Sequence, residues 1–349
     1  MIIYDNGVNE SRYFMKSGKD GERFGVSFER PSVCLNGVWD FRSDADGVWT
    51  RIRVPGSYGG VLQSWGGRQW DCFDYPASWQ GKGGVYRRKF TVPDTMRDMD
   101  VRFRCNACAH HGELYVNNAK TGEWHDGYTP FEFSINSALV EGENTLRVCV
   151  SERPSDLFDD YGTFRRGIWQ DTFLMGRPWL AVGDDVFIVT SVAEGGINVE
   201  VPVENCGEAE REFSISCVVT EKDGTVVGKF ASSKKENLAG RSARVFESGA
   251  GWKEPRLWFP HDPHLYVLHV LLCGEGGRVI DHARFRFGFR EVSWSGPDLF
   301  LNGCRLFLRG HGGHYFGDIQ GTRSYMETWL GNQRALGINF MRLHCSPKH

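Results

Sequence analysis

The chain has 349 residues, 40% of them hydrophobic, which is enough for a buried core and too long for one compact domain. Its net charge of −3 and pI of about 6.4 give no electrostatic footprint for nucleic acid or for an acidic membrane surface. No apolar run approaches the roughly 18 residues of a membrane-spanning helix, so we expect neither a nucleic-acid partner nor a membrane span.

Residues 1–21 are polar and lack the charged and apolar regions of a secretory signal peptide. We therefore expect a cytoplasmic protein, with the periplasm as the alternative if the N-terminus is incomplete. The ten cysteines are scattered singly, which suits a reducing compartment. Cys105 and Cys108 form a lone CxxC with no second pair and no histidine pair at zinc spacing. We interpret them as structural and predict neither a metal site nor a cofactor.

Period-two alternation of apolar and polar residues dominates the first 290 residues. It is found at 101–105, 131–135, 146–150, 213–219 and 285–289. Turn dipeptides separate the runs, namely Asn36-Gly37, Asp46-Gly47, Asn117-Asn118, Glu141-Gly142, Asp223-Gly224 and Asn302-Gly303. Each run has one apolar and one polar face, which predicts the strands of antiparallel sandwiches.

A loop over residues 57–84 is crowded with aromatic side chains and ends in a glycine cluster. The aromatic residues are Tyr58, Trp65, Trp70, Phe73, Tyr75 and Trp79. Such rings either stack on the apolar face of a sugar or anchor a long loop to the sandwich, and we favour the second interpretation. The glycines at 81–84 superficially resemble a phosphate loop. A strand rather than a helix is predicted after them, which argues against nucleotide binding.

Glycines and a proline interrupt the strands near residues 179–185. The short strands that follow, to about Gly288, have the size of an immunoglobulin-like sandwich. We interpret this segment as a spacer, because no group of residues in it suggests chemistry.

The pattern changes after Val292. Residues 299–308 predict a hairpin about a two-residue turn, 324–336 predict a helix that Gly337 ends, and 338–343 predict a buried strand. Strand, helix and strand in this order open a parallel βαβ unit. A (β/α)8 barrel needs about 250 residues, so the roughly 60 that follow Glu291 predict only its truncated start.

Polar residues gather around the two predicted parallel strands. The segment 309–314 (RGHGGH) is predicted to follow one strand, and 339–344 (NFMRLH) lies at the end of the next. Barrel enzymes place their sites at the carboxyl ends of such strands, where two histidines and an arginine could bind hydroxyls and orient a carboxylate. Metal binding and ordinary surface histidines remain open as alternatives.

A set of motifs, in one order along nearly the whole chain, resembles glycoside hydrolase family 2, the family of bacterial β-galactosidases, β-glucuronidases and β-mannosidases. They are 35–41 (LNGVWDF), 84–93 (GVYRRKFTVP), 113–118 (ELYVNN), 127–131 (GYTPF), 166–171 (RGIWQD), 258–266 (WFPHDPHLY), 287–290 (FGFR) and 301–310 (LNGCRLFLRG). No single motif is specific, but their order is.

The resemblance implies a mainly β chain with three parts. We expect a jelly-roll sandwich of sugar-binding type over 1–182, an immunoglobulin-like sandwich over 183–290, and the truncated start of a (β/α)8 barrel over 291–349. It also implies a retaining glycosidase that uses one glutamate as nucleophile and another as acid and base. In the family both lie on later barrel strands, so we expect no catalytic residue in this chain and an inactive fragment.

The resemblance further implies substrate-binding roles at the end of the chain. His314 matches the family's sugar-facing histidine, Arg342 the arginine beside the nucleophile, and Asn339 the asparagine that opens the same strand. Two positions depart from the pattern. Gly312 stands where the family usually has asparagine, and His344 lies one residue before the usual second histidine.

We therefore predict the N-terminal fragment of a retaining exo-β-glycosidase, with terminal β-linked sugars of the galactoside or glucuronide type as substrates. The alternative is a non-catalytic carbohydrate-binding protein built from the two sandwiches. A carbohydrate is the expected partner, and a homo-oligomer remains open.

Overall fold

The computed structural model describes residues 2–4, 26–56, 58, 77–79, 83–127, 129–151, 166–313 and 323–343. The fold is mainly β and consists of a jelly-roll sandwich, an immunoglobulin-like sandwich and a parallel strand–helix–strand segment. The early strands are β1 (Ile2–Tyr4), β2 (Val26–Phe28), β3 (Ser32–Cys34), β4 (Gly37–Ser43), β5 (Trp49–Val54), β6 (Gly84–Thr91), β7 (Asp100–Cys105), β8 (Cys108–Ala109), β9 (His111–Val116), β10 (Ala119–Trp124), β11 (Phe131–Ser134), β12 (Glu143–Ser151), β13 (Gly167–Ile168) and β14 (Thr172–Arg177).

The later elements include the only α-helix among the described residues. They are β15 (Leu180–Val182), β16 (Phe187–Ser191), β17 (Gly196–Asn205), β18 (Arg211–Thr220), β19 (Val226–Leu238), β20 (Ser242–Gly251), β21 (Tyr266–Cys273), β22 (Val279–Phe287), β23 (Val292–Ser295), β24 (Asp298–Leu301), β25 (Cys304–Arg305), β26 (Gly310–Gly313), α1 (Arg323–Ala335) and β27 (Phe340–Leu343). No described helix has the length and hydropathy that a membrane span requires.

Two compact units divide the chain. One contains Pro31–Gly176 together with the residues from Gly310 onward, and the other contains Arg177–Arg309 with the segment up to Arg30. The strand β1 belongs to the first unit, where it pairs in parallel with β3. The strand β2 belongs to the second unit, where it pairs antiparallel with β22.

The jelly-roll sandwich is built from two large sheets. One has the strand order β1-β3-β14-β7-β11, and the other has the order β10-β9-β12-β6-β4-β5. Alternation along β6 and β12 buries every second residue, which gives the six-stranded sheet one core face and one solvent face. The core contains the fully buried rings of Trp39, Phe41 and Tyr86.

Two aromatic residues of the loop between β5 and β6 are described, and both anchor the loop. Tyr58 and Trp79 are buried, and each ring centroid lies within 5.0 Å of that of Phe41. The Trp79 indole also donates a hydrogen bond of 2.9 Å to Asp46. The predicted anchoring role is confirmed for these two rings. Trp65, Trp70, Phe73 and Tyr75 lie outside the described residues.

The immunoglobulin-like sandwich packs a β15-β17-β16 sheet, extended by β20, with a β19-β18-β21-β22-β2 sheet. Its core is a separate cluster that includes Val201, Cys217, Leu268 and Phe289.

The hairpin predicted at 299–308 is confirmed, because β24 pairs with β25 about Asn302 and Gly303. Both turn residues have positive φ, at 52° and 76°, the conformation that Asn-Gly favours.

A histidine pair lies on the solvent face of β21 and β22. The Nδ1 of His269 is 3.0 Å from the Nε2 of His282, so one ring must donate and the other accept. The Nδ1 of His282 is 3.3 Å from a Glu29 carboxylate oxygen. Burial, followed by the charges of His282 and Arg284, lowers the pKa of His269 to about 4 from an ordinary value of 6.5.

The free energy of unfolding should therefore fall as the pH decreases from about 6.5 to about 4. Between about pH 6.5 and pH 4 the unfolded chain binds the proton that folded His269 excludes, so acid favours unfolding. Urea unfolding at pH 7.5 and pH 5 should show a stability loss that His269→Gln reduces by only about 1 kcal/mol, because solvent reaches the partly buried ring. His261→Gln, at an exposed histidine, should leave the loss unchanged. Equal pH dependence in both variants would remove His269 from this role.

Candidate functional site

The predicted parallel βαβ unit is present at the end of the described chain. Strands β26 and β27 pair in parallel, with Gly310 opposite Phe340 and Gly312 opposite Arg342. Helix α1 connects them, and the ring of Trp329 on the helix lies 6.0 Å from the ring of His311 on β26. The sequence therefore predicted the order and the direction of these elements correctly.

Gly337 ends α1 as the sequence predicted, and the cap is a Schellman motif. The Gly337 amide donates to the Arg334 carbonyl at 2.9 Å, and the Ile338 amide donates to the Gln333 carbonyl at 3.1 Å. Gly337 has φ of 77°, a conformation that costs glycine little. This cap fixes the direction in which the chain enters β27.

The position of the first parallel strand corrects the prediction. Residues 309–314 were expected to follow a strand, whereas Gly310–Gly313 is itself the strand that pairs with β27. Three of its four residues are glycine, so it has no side-chain alternation that could mark it as a strand. The segment before it, 306–309, is not a strand.

The four predicted sugar-contacting residues are only partly described. Asn339 is half-buried just before β27, and Arg342 is exposed within β27. His314 and His344 follow the two strands in sequence and lie outside the described residues. The roles of all four remain predictions.

Packing does not account for the glycine at position 312. A Cβ atom built at Gly312 would have no neighbour within 4 Å among the described residues, and the backbone there does not require glycine. An asparagine, as the family usually has, would therefore fit at this position.

Within the described ranges, no three His, Cys, Asp or Glu side chains are arranged to hold a metal ion. Cys105 and Cys108 are completely buried in the jelly-roll sandwich. Burial raises the pKa of both thiols well above the ordinary value, so neither is a ready thiolate ligand or nucleophile.

Sequence reasoning missed a second cluster of polar residues, which lies on the jelly-roll sandwich. Trp49, Arg87 and Arg147 line one depression, with a volume of about 560 Å3, on the solvent face of the six-stranded sheet. These residues lie on β5, β6 and β12, so only the strand order brings them together. The available signal was the run of cations at the solvent-facing positions of β5 and β6.

Comparisons with known proteins agree with this architecture. The sequence model described as "Glycosyl hydrolases family 2, sugar binding domain" matches residues 70–178. The model described as "Glycosyl hydrolases family 2" matches residues 181–290.

Individual relatives match over most of this chain. A β-galactosidase of Alteromonas mediterranea is 28% identical over 362 residues, covering 90% of this chain and 33% of the relative. A β-glucuronidase of Paenibacillus borealis is 26% identical over 328 residues, covering 82% of this chain and 50% of the relative. The crystal structure of Bacteroides uniformis β-glucuronidase superposes with a TM-score of 0.77 at 24% identity, a likeness of fold alone, and covers 92% of this chain and 40% of that one.

The chain spans between about a third and a half of the length of these three relatives. Two consecutive models of one family together match more than half of the chain, in the order that the sequence motifs predicted. The chain therefore belongs to glycosyl hydrolases family 2.

Proposed function

We propose that the chain carries the N-terminal domains of a retaining exo-β-glycosidase. The observation that carries the proposal is the tandem match of the two family-2 models at residues 70–178 and 181–290. The curated relatives named above are a β-galactosidase and a β-glucuronidase, so a terminal β-galactoside or β-glucuronide is the substrate class we propose. We place the domain boundaries after residues 182 and 290.

The strand–helix–strand segment supports a barrel as the catalytic domain of the whole protein. Helix α1, the turn that follows it and strand β27 leave the apolar side chains of Leu330, Leu336 and Phe340 exposed by 47%, 74% and 47%. Parallel strands occur with helices covering both faces, so apolar surface of this kind is expected where further βα units pack.

The proposed chemistry needs groups that the family places on later strands. A retaining enzyme uses two carboxyl groups about 5–5.5 Å apart, one as nucleophile and one as acid and base. In this chain we propose only supporting roles. Arg342 would keep the nucleophile ionised through its opposite charge, and Asn339, His314 and His344 would contact the sugar.

The test is to read the gene beyond His349 and to express the extended product. We expect an Asn-Glu pair and a second glutamate on later strands, and hydrolysis of nitrophenyl β-galactoside or β-glucuronide. Proton NMR should show that the released sugar keeps the β configuration at first. Release of the α-anomer would contradict the retaining mechanism. An in-frame stop after His349 would support the non-catalytic carbohydrate-binding alternative.

In the extended enzyme, His314→Ala should lower kcat/KM more than about tenfold. A hydrogen bond that strengthens in the transition state contributes directly to the rate, and about 1.4 kcal/mol corresponds to tenfold. The matched control is His311→Ala, three residues earlier, whose ring faces Trp329. Steady-state kinetics of the folded variants gives the comparison. Equal effects of the two substitutions would remove His314 from the sugar subsite.

A further inference from the structure

One row of side chains crosses all six strands of the sheet β10-β9-β12-β6-β4-β5 on its solvent face. The cross-strand register sets Arg51 opposite Asp40, Asp40 opposite Arg87, and Arg87 opposite Arg147. The same row continues from Arg147 to Tyr115 and from there to Lys120 on the edge strand. Like charges directly opposite each other destabilise a sheet, so the facing pair of arginines needs an explanation.

Arg87 is compensated within the protein and Arg147 is not. The guanidinium of Arg87 donates to Asp40 at 3.0 Å and stacks on the Trp49 ring, 4.2 Å from its centroid. Arg147 lies 4.4 Å from the Tyr115 ring centroid, and its buried Nε has no hydrogen-bond partner among the described residues. No carboxylate in the described chain forms an ion pair with it.

The charge around the depression is positive. Its lining includes Arg87, Lys89 and Arg147, and two further cations, Arg42 and Arg51, lie beside it without a carboxylate partner in the described chain. The facing carboxylates are Asp40 and Glu143, the latter 2.7 Å from Lys89. Further carboxylates at this face are Asp44, just after β4, and Glu113 and Glu123, which pair with Lys120. This excess of cations contrasts with the net charge of −3 of the whole chain.

The remaining lining suits a sugar. Trp49 is 41% exposed, and the part of its ring that Arg87 and Arg42, 4.2 and 5.4 Å from the centroid, leave uncovered offers an apolar surface for the C–H face of a pyranose. Asn118 and Thr145 line the depression, and their side chains make no hydrogen bond to another described residue. The volume of about 560 Å3 lies within the roughly 300–1,000 Å3 of small-molecule sites.

We propose that this depression binds an acidic oligosaccharide. The carboxylate or sulfate of the ligand pairs with Arg147 and Arg87, a sugar ring stacks on Trp49, and Asn118 and Thr145 bind hydroxyl groups. This proposal rests on the sugar-binding part of the proposed function and specifies an acidic sugar as the ligand. Its test needs no turnover, so its failure is distinguishable from failure of the glycosidase assignment.

The test is calorimetric titration of the complete chain with three probes: trigalacturonate, its methyl ester, and a sulfated galactobiose. We expect one or both acidic sugars to bind with an affinity that falls as sodium chloride is added, and the neutral ester to bind at least about tenfold more weakly. Binding of trigalacturonate alone identifies a carboxylate ligand, and binding of the galactobiose alone identifies a sulfate ligand.

Two variants in the depression, each with a control variant elsewhere, test whether the sugar binds there. Arg147→Gln and Trp49→Ala should each weaken binding about tenfold or more, because each removes a direct contact. Arg278→Gln and Trp294→Ala make the same changes at exposed positions outside the jelly-roll sandwich and should leave the affinity unchanged. Melting curves confirm that each variant is folded, and Arg87→Gln replaces any variant that is not.

Three results with the sugar probes and the variants would overturn the proposal. They are no binding of either acidic sugar at millimolar concentration, equal binding of the methyl ester, and equal weakening by the control substitutions. Comparable binding of hexaglutamate would also overturn it, because charge alone would then explain the affinity.

Discussion

Purified by itself, the 349-residue chain should hydrolyse no β-glycoside above the uncatalysed background. General-acid and nucleophilic catalysis supply most of the rate of a retaining glycosidase, and both need a positioned carboxyl group. The family motifs assign neither glutamate to a position in this chain. The residues that match the family are proposed only to bind and orient a sugar, and none of them has a carboxyl group to attack the anomeric carbon or protonate the leaving group.

The measurement is turnover of nitrophenyl β-galactoside and β-glucuronide by the chain after successive purification steps. The extended gene product, prepared from the same host, serves as the positive control. Activity that copurifies with this chain and scales with its concentration would contradict the prediction, and a catalytic carboxylate would then have to be sought within the chain itself.

Local sequence patterns predicted well the strands and turns whose conformation depends on residues close in sequence. Asn117 and Asn118 both adopt positive φ, at 48° and 70°, and join β9 to β10, as a two-residue hairpin turn requires. Alternation predicted β7 and β12 because each has one buried face. The helix α1 was predicted from its apolar spacing and from the glycine that ends it.

The sequence was least informative where the side chains form no pattern that indicates the backbone conformation. The strand β26 consists mainly of glycine, and only its pairing with β27 identifies it. Because β26 and β27 pair in parallel, their carboxyl ends lie at the same edge of the sheet. The order of the elements in the sequence was enough to propose His314 and His344 as site residues, but it could not give their contacts.

The acidic-sugar site depends on strand order, which single-sequence patterns do not give. Trp49, Arg87 and Arg147 are separated by tens of residues, and each alone resembles an ordinary surface residue. They meet because β6 lies between β12 and β4 in the sheet. Non-local pairing of this kind is a property of the folded topology.

A buried ion pair in the immunoglobulin-like sandwich could not be foreseen from the sequence for the same reason. Arg30 and Asp281 are 251 positions apart, and their side chains are 7% and 1% exposed. The guanidinium donates to Asp281 at 2.7 Å and to the Val182 carbonyl at 2.6 Å. The Val182 amide in turn donates to Asp281 at 2.8 Å. The pair thus connects β15, β22 and the segment after β2.

Asp281→Ala should lower the free energy of unfolding of this sandwich by about 3 kcal/mol. The substitution removes the carboxylate that pairs with the buried Arg30 guanidinium, and it removes the acceptor of the Val182 amide. Urea unfolding measures the loss. Asp298→Ala is the control, because it breaks a pair of similar length, 2.7 Å, whose arginine is 70% exposed, and should cost less than about 1 kcal/mol. Similar losses in the two variants would mean that burial does not determine the contribution of the Arg30–Asp281 pair.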